Sequence, residues 1–267
     1  MTRRRWIATT FNAQTATLTG SQAEHLVRVL RATVGMRADV VAGDRVYSAV
    51  IDQVSDSQVR FQLEEELSSV ASASAPIDLM LAVFKFDRLE WALEKATELG
   101  VSSIVPVLAR RTEKHLAQAA ATRVERWRRI AREAAQQSRG SFIPRIDDPQ
   151  PLSAGIQRAG DIRILLSEHE TARTLTDCLR QAHQHMPAAT AVPSITLAVG
   201  PEGGWTGEEA AAFAKSGWQP ATLGPRILRA ETAILASLAI VQSLMMDATP
   251  AAPDQTLPGI RLPDANS

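Results

Sequence analysis

Leu223-Gly-Pro-Arg-Ile-Leu-Arg-Ala-Glu-Thr-Ala233 and, upstream of it, Thr196-Leu-Ala-Val-Gly-Pro-Glu-Gly-Gly204 are the two stretches that set the reading of this chain. Each reads as a short apolar strand running into a Gly-Pro turn, and the second turn opens into the apolar stretch AILASLAIVQSLMM at 233–246. Brought together, two such loops line a pocket with main chain. Their glycines let a flat ligand approach the backbone, while Pro201 and Pro225 restrict the loops and lower the entropy lost on ordering them.

The surroundings of these loops give the fold class. Residues 77–84 form a continuous apolar run, as expected of a buried strand in a parallel sheet. A helix follows, with Asp87 and Glu90 in capping-box spacing, Leu89, Leu93, Ala96 and Leu99 on one face, and Gly100 at its end. Strands at 101–108, 162–166 and 195–199 alternate with helices at 123–137 and 175–182. Thr206 and Glu209 form a second capping box just after Gly203-Gly204, predicting a helix that ends near Gly217. Such alternation predicts an α/β fold with a mostly parallel sheet, whose ligand sits at the carboxyl ends of the strands.

Toward the N-terminus the pattern changes. Segments 38–42, 45–51 and 58–63 alternate Val, Tyr, Ile and Phe with polar residues, which fits a small barrel or curled antiparallel sheet interrupted by one helix at 23–30. Residues 68–76 (SSVASASAP) have the composition of a linker, and the tail beyond Asp247 carries Pro250, Pro253, Pro258 and Pro263.

Composition removes several function classes. The apolar stretch at 233–246 contains Gln242 and is too short to span a bilayer, so a buried or interface helix is expected and a membrane is not. One cysteine, Cys178, and five scattered histidines argue against a disulfide or a metal site and suit a cytoplasmic protein. Neither a Gly-x-Gly-x-x-Gly fingerprint, a phosphate loop nor a Gly-x-Ser-x-Gly elbow is present, which removes support for hydride transfer, nucleotide hydrolysis and Ser-His-Asp hydrolysis. Formal net charge is zero, yet residues 110–145 hold ten Lys or Arg against Glu113, Glu125 and Glu133. The first residues add Arg3, Arg4, Arg5, Arg28 and Arg31 against Glu24. Basic patches on a neutral chain are suited either to a polyanion or to plain solvation.

Five motifs together carry a resemblance: Lys85-x-Asp-Arg-Leu-Glu, Lys95-Ala-Thr-Glu-Leu-Gly100, Glu133-Ala-Ala-Gln-Gln-Ser-Arg139, Gly200-Pro-Glu-Gly-Gly204 and the 223–233 segment. In this order and spacing the chain resembles the bacterial 16S ribosomal RNA uracil-N3 methyltransferases of the SPOUT superfamily, from His25-Leu-Val-Arg-Val-Leu-Arg31 to the C-terminal helix. It departs from them in the order of the Gly43-Asp44 turn and in its Pro-rich tail. The resemblance implies an N-terminal PUA-like RNA-binding β-barrel domain (1–70), a trefoil-knotted SPOUT domain (77–247) that holds S-adenosylmethionine, and a flexible tail (248–267). It also implies a homodimer with each active site near the subunit interface, acting on 16S ribosomal RNA in the small subunit.

Residue by residue, the resemblance puts the adenine against the backbone of Leu223, Gly224, Ile227 and Leu228. Val199, Gly200, Glu202 and Gly203 close over the ribose and methionine parts, with Thr232 and Ala233 from the last helix and Glu168 from a third loop. Arg229 and Glu231 are the catalytic candidates, Arg229 to orient the uracil or a phosphate and Glu231 as a base. An Arg229–Glu231 ion pair, or simple helix-start roles for Glu231 and Thr232, are the structural alternatives. Arg3, Arg5, Arg28, Arg31 and Arg139 are expected to grip RNA. Two other functions stay open: a noncatalytic ribosomal RNA-binding assembly factor, and a methyltransferase acting on a ribose hydroxyl or on transfer RNA.

Overall fold

The computed structural model describes residues 5–43, 45–69, 76–138, 142–185 and 193–247. Two sheets, each with its own core, organise them. The first contains β1 (Arg5–Ile7), β2 (Thr10–Phe11), β3 (Thr15–Thr19), β4 (Arg37–Ala42), β5 (Arg45–Ser55) and β6 (Gln58–Ser69), curled in the order β1-β4-β5-β6-β3-β2. All its pairs are antiparallel except β1 with β4. Period-two alternation sends Ala16, Leu18, Ile51, Val59 and Phe61 inward, where Trp6 and Leu26 join them. The helix expected at 23–30 is instead a short α1 (Ser21–Glu24) passing into a π turn (His25–Val29), closed by the Leu30 N–H on the His25 carbonyl at 3.1 Å. Arg31 follows at φ 51°, the left-handed conformation that lets the chain leave the turn.

The second sheet is wholly parallel. It comprises β7 (Ile77–Ala82), β8 (Ser103–Leu108), β9 (Arg145–Ile146), β10 (Gln150–Pro151), β11 (Ile162–Leu166), β12 (Ile195–Val199) and β13 (Gln219–Ala221), ordered β10-β8-β7-β12-β11-β13 with β9 also against β8. Both faces are covered. Leu79, Leu81, Ile104, Ile164 and Leu197 point to the face packed by α2 (Phe86–Glu98), α3 (Lys114–Gln137), α5 (Leu175–His185) and α7 (Ala230–Asp247). Their sequence neighbours Met80, Val105, Leu165 and Ala198 point to the other, under α4 (Leu152–Ile156) and α6 (Gly207–Lys215). This is why the strands read as unbroken apolar runs.

Several boundaries differ from the sequence expectation for local reasons. α2 starts at Phe86 with no side-chain cap, and Glu90, expected in a capping box with Asp87, reaches across to Arg126 at 2.8 Å and Arg123 at 3.4 Å on α3. α3 begins nine residues earlier than expected, because its Ala-rich first turns contain no breaker. The Thr206–Glu209 capping box is present, and the helix it opens ends before Gly217 at φ 79°. α7 buries Ile234, Leu238 and Val241 on one stripe. Among the described residues no helix is long and apolar enough to cross a membrane.

Candidate functional site

Because β11, β12 and β13 run parallel, their carboxyl ends lie on one edge, and the three loops leaving them meet there. They enclose an open cleft of about 830 Å³, solvent space included. Loop 167–169 contributes Glu168, loop 200–205 contributes Gly200, Glu202 and Trp205, and loop 222–229 contributes Leu223, Gly224, Ile227 and Leu228. Val199 and Ala233 complete the lining from β12 and α7. Nine of the residues singled out in the sequence thus share one cleft.

Each loop is fixed by identifiable contacts. In the second loop Trp205 turns inward onto Phe213, edge to face at 4.9 Å, and Phe213 stacks likewise on Trp218 at 5.1 Å. A Cβ on Gly200 would lie 3.2 Å from the Trp205 ring, so glycine there permits that packing. Arg111, from the loop after β8, donates to the Gly203 carbonyl, while Gly204 at φ 70° brings the chain so near Glu168 that a Cβ would stand 2.7 Å from its Oε1. Glu209 is buried and accepts from the Thr206 N–H at 2.8 Å and from the Arg110 N–H at 2.7 Å, which ties α6 to the end of β8.

The third loop is held differently. Thr222 Oγ1 accepts from the Gly224 N–H at 3.2 Å and donates to the Gly224 carbonyl at 3.1 Å. Gly224 itself sits at φ 121°, with nothing within 4 Å of where its Cβ would be. A missing side chain therefore leaves open space on the cleft wall, as a flat ligand against main chain requires. Ile227 is 82% exposed, an unusual position for a large apolar side chain.

The remaining expected residues lie around the cleft rather than on its lining. Gly203 is turned to Arg111, and Thr232 is exposed on the first turn of α7. Arg229 is exposed and its expected alternative, an ion pair with Glu231, is not formed. Glu231 is instead directed to Arg88 of α2, with Nε to Oε1 at 4.0 Å, and its buried Oε2 has no hydrogen-bond partner among the described residues. Arg88 also binds Glu202 at 2.5 Å, and Lys85 stands 3.8 Å from the same carboxylate. Sequence reading quoted Lys85 and Arg88 within a motif but gave them no task; their shared partner in the second loop supplies one.

Of the expected RNA contacts, Arg3 and Arg139 lie outside the described residues. Arg28 and Arg31 are exposed at the π turn, and Arg5 opens β1 beside α3. The basic run at 110–145 is not one uniform surface. Arg123 and Arg126 pair with Glu90, Arg128 with Glu125 and Asp148, and Arg145 with Asp147. Among the described residues no cluster of three or more His, Cys, Asp or Glu could hold a metal ion.

Known proteins resemble this chain in sequence and in fold. The RNA methyltransferase domain family matches residues 71–242. The ribosomal RNA small subunit methyltransferase E of Synechocystis is 33% identical over 235 residues, covering 86% of this chain and 74% of that protein. The crystal structure of the ribosomal RNA small subunit methyltransferase E of Neisseria gonorrhoeae, bound to S-adenosyl methionine, superposes with a TM-score of 0.75 at 26% identity, over 91% of this chain and 98% of that one. A putative methyltransferase from Legionella pneumophila, in complex with the same cofactor, gives a TM-score of 0.75, 26% identity and the same coverage. With its fold, its glycine-lined cleft and these likenesses in agreement, the chain belongs to the ribosomal RNA small subunit methyltransferase E family.

Proposed function

We propose that this chain transfers the methyl group of S-adenosylmethionine to N3 of a uridine in 16S ribosomal RNA. The observation that carries the reading is the meeting of three strand-end loops around a main-chain wall opened by Gly224. That wall suits an adenine, whose edge needs backbone donors and acceptors and whose faces need flat apolar neighbours such as Leu223 and Leu228. Glu202, held by Arg88, is a ready acceptor for a ribose hydroxyl or the cofactor ammonium. S-adenosylmethionine supplies an electrophilic methyl group and leaves as the neutral thioether.

The chain's own residues have two further tasks in this reading. Orientation is the first: a nucleophile and a methyl group held in line react far faster than free partners do. Removal of the uracil N3 proton is the second. Glu231 suits it because its Oε2 is buried without a partner among the described residues, so a proton on that oxygen displaces no hydrogen bond seen there. Arg229, exposed beside the cleft, is left free to hold a uracil carbonyl or a phosphate. Since N3 lies on the Watson–Crick edge, the target base is unpaired or extruded when it reacts.

With this function go the finer features of the family reading. The curled first sheet acts as a PUA-like barrel at 1–70 and the parallel sheet and its helices form a knotted SPOUT domain at 77–247; the tail expected at 248–267 lies outside the described residues. The active form is a cytoplasmic homodimer, supported by the exposed Trp91 and Ile227, and its substrate is the assembled small subunit. Arg3, Arg5, Arg28, Arg31 and Arg139 contact the RNA backbone. Mass spectrometry of 16S ribosomal RNA from cells lacking this protein tests the proposal: one N3-methyluridine is expected to vanish, and to return with the intact gene. An unchanged set of modifications would refute it.

A further inference from the structure

A second cleft lies on the far side of α3 from the core, where the first sheet meets that helix. It is lined by Arg5 and Trp6 of β1, Gln22 of α1, His25 of the π turn, and Arg129, Arg132, Glu133, Gln136 and Gln137 of α3, so that three arginines outweigh one carboxylate, and it holds about 860 Å³, solvent space included. Helical spacing explains the α3 side. Residues 129, 132, 133, 136 and 137 share one stripe, opposite the buried Val124, Trp127, Ala131 and Ala135.

Charge singles this cleft out. Of the five arginines on α3, Arg123, Arg126 and Arg128 are ion-paired, whereas Arg129 and Arg132 have no carboxylate partner among the described residues. Both face the cleft. The interior adds polar groups without partners. Gln22 is only 8% exposed, yet among the described residues its Oε1 makes no hydrogen bond, and the buried Nε2 of Gln136 makes none either. A buried unpaired amide is costly, and proteins keep such groups where a ligand completes them. Trp6 and His25, with ring centroids 6.3 Å apart, supply an aromatic side to the same space.

We propose that this cleft binds an unpaired RNA nucleotide apart from the methylated one, its base edge on Gln22 and Gln136 and its phosphates on Arg129 and Arg132. An acceptor and a donor in one cleft match the N–H and C=O of a base edge, which pairing would hide. Duplex RNA offers the arginines its phosphates but cannot offer the amides that edge. The cleft thus selects single-stranded RNA. This rests on the methyltransferase reading only for the identity of the RNA.

The test uses the full chain and a labelled oligouridylate, compared with an RNA duplex of the same length. Gln22→Leu and Gln136→Leu keep side-chain volume and remove the orphaned amides. Each is expected to weaken oligouridylate binding about tenfold, to leave duplex binding alone, and to keep or raise the melting temperature. Arg129→Ala with Arg132→Ala should lower the salt dependence, the slope of log affinity against log salt falling by about 0.7 for each phosphate no longer neutralised. Calorimetry with S-adenosylmethionine should match the wild type in every variant. Oligouridylate binding unaffected by the Leu variants, or undetectable for the wild type at low salt, overturns the inference. Absence of S-adenosylmethionine binding to the wild type would instead overturn the methyltransferase reading, with the RNA measurements unaffected.

Discussion

Replacing Gly224 probes the third loop most directly. At φ 121° the backbone is in a region that side chains disfavour, at a cost of about 1–3 kcal/mol. No atom lies within 4 Å of its Cβ position, so steric clash within the chain adds nothing and the cost is conformational. That cost emerges in one of two places. If the loop keeps its shape, Gly224→Ala lowers stability; if the free loop relaxes, the same energy reappears as weaker ligand binding. Thermal unfolding without ligand and calorimetry with S-adenosylmethionine, taken together, should therefore account for about 1–3 kcal/mol in the Ala variant. Gly224→Val adds a branched three-carbon side chain to the open wall, and its affinity loss should exceed about tenfold, equivalent to about 1.4 kcal/mol. Wild-type affinity in both variants would refute the assignment of Gly224 to the cofactor wall.

Arg229→Ala is expected to reduce turnover on small subunits while leaving S-adenosylmethionine affinity intact, measured by methyl incorporation and calorimetry; a parallel loss of affinity would move Arg229 to the cofactor. Arg88→Ala releases Glu202 and removes the cation nearest Glu231, so both cofactor affinity and turnover should fall, and Arg88→Lys should restore only part of each because one ammonium cannot reproduce the fork of donors. Glu209→Ala strands the N–H groups of Thr206 and Arg110, and urea denaturation should show a loss of about 2–3 kcal/mol. Hydrogen bonds from the Ser194 hydroxyl and N–H hold the Asp161 carboxyl below its ordinary value. Its stabilisation is thus complete above the unfolded-state value and is lost as pH falls through the lowered one. Asp161→Asn should flatten stability across that acidic interval in urea titrations, leaving neutral pH less affected than Glu209→Ala does.

Much of this architecture was legible locally. The strands at 162–166 and 195–199 occupy the residues expected, and Thr206–Glu209 forms the cap its spacing announces, because both depend on neighbours within a few residues. The two Gly-Pro loops were readable as a main-chain pocket for a similar reason, whereas the assignment of the individual cleft residues, Glu168 above all, came from the family resemblance. What stayed hidden depends on distant partners. Glu90 had the spacing of a cap but found two arginines across a helix interface, a stronger attraction than one first-turn N–H. Glu202 was recognisable as a loop acid, whereas its tie to Arg88, 114 residues away, follows only from the fold. The basic run at 110–145 looked continuous until folding brought acids to Arg110, Arg123, Arg126, Arg128 and Arg145 and left Arg129 and Arg132 lining a cleft with Gln22 and Gln136.

The order β8-β7-β12-β11 has a consequence for the birth of the molecule. β12 is inserted between β11 and the much earlier β7, with Leu197 pairing against Leu79. The central seam of this layer must wait until nearly three quarters of the polypeptide has been translated. The curled amino-terminal sheet, whose ladders all close within residues 5–69, faces no such delay. Emergence from the exit tunnel should thus yield an early-folding module trailed by a late-closing one, during which the apolar strands β7 and β8 stay unsealed and most in need of chaperone cover.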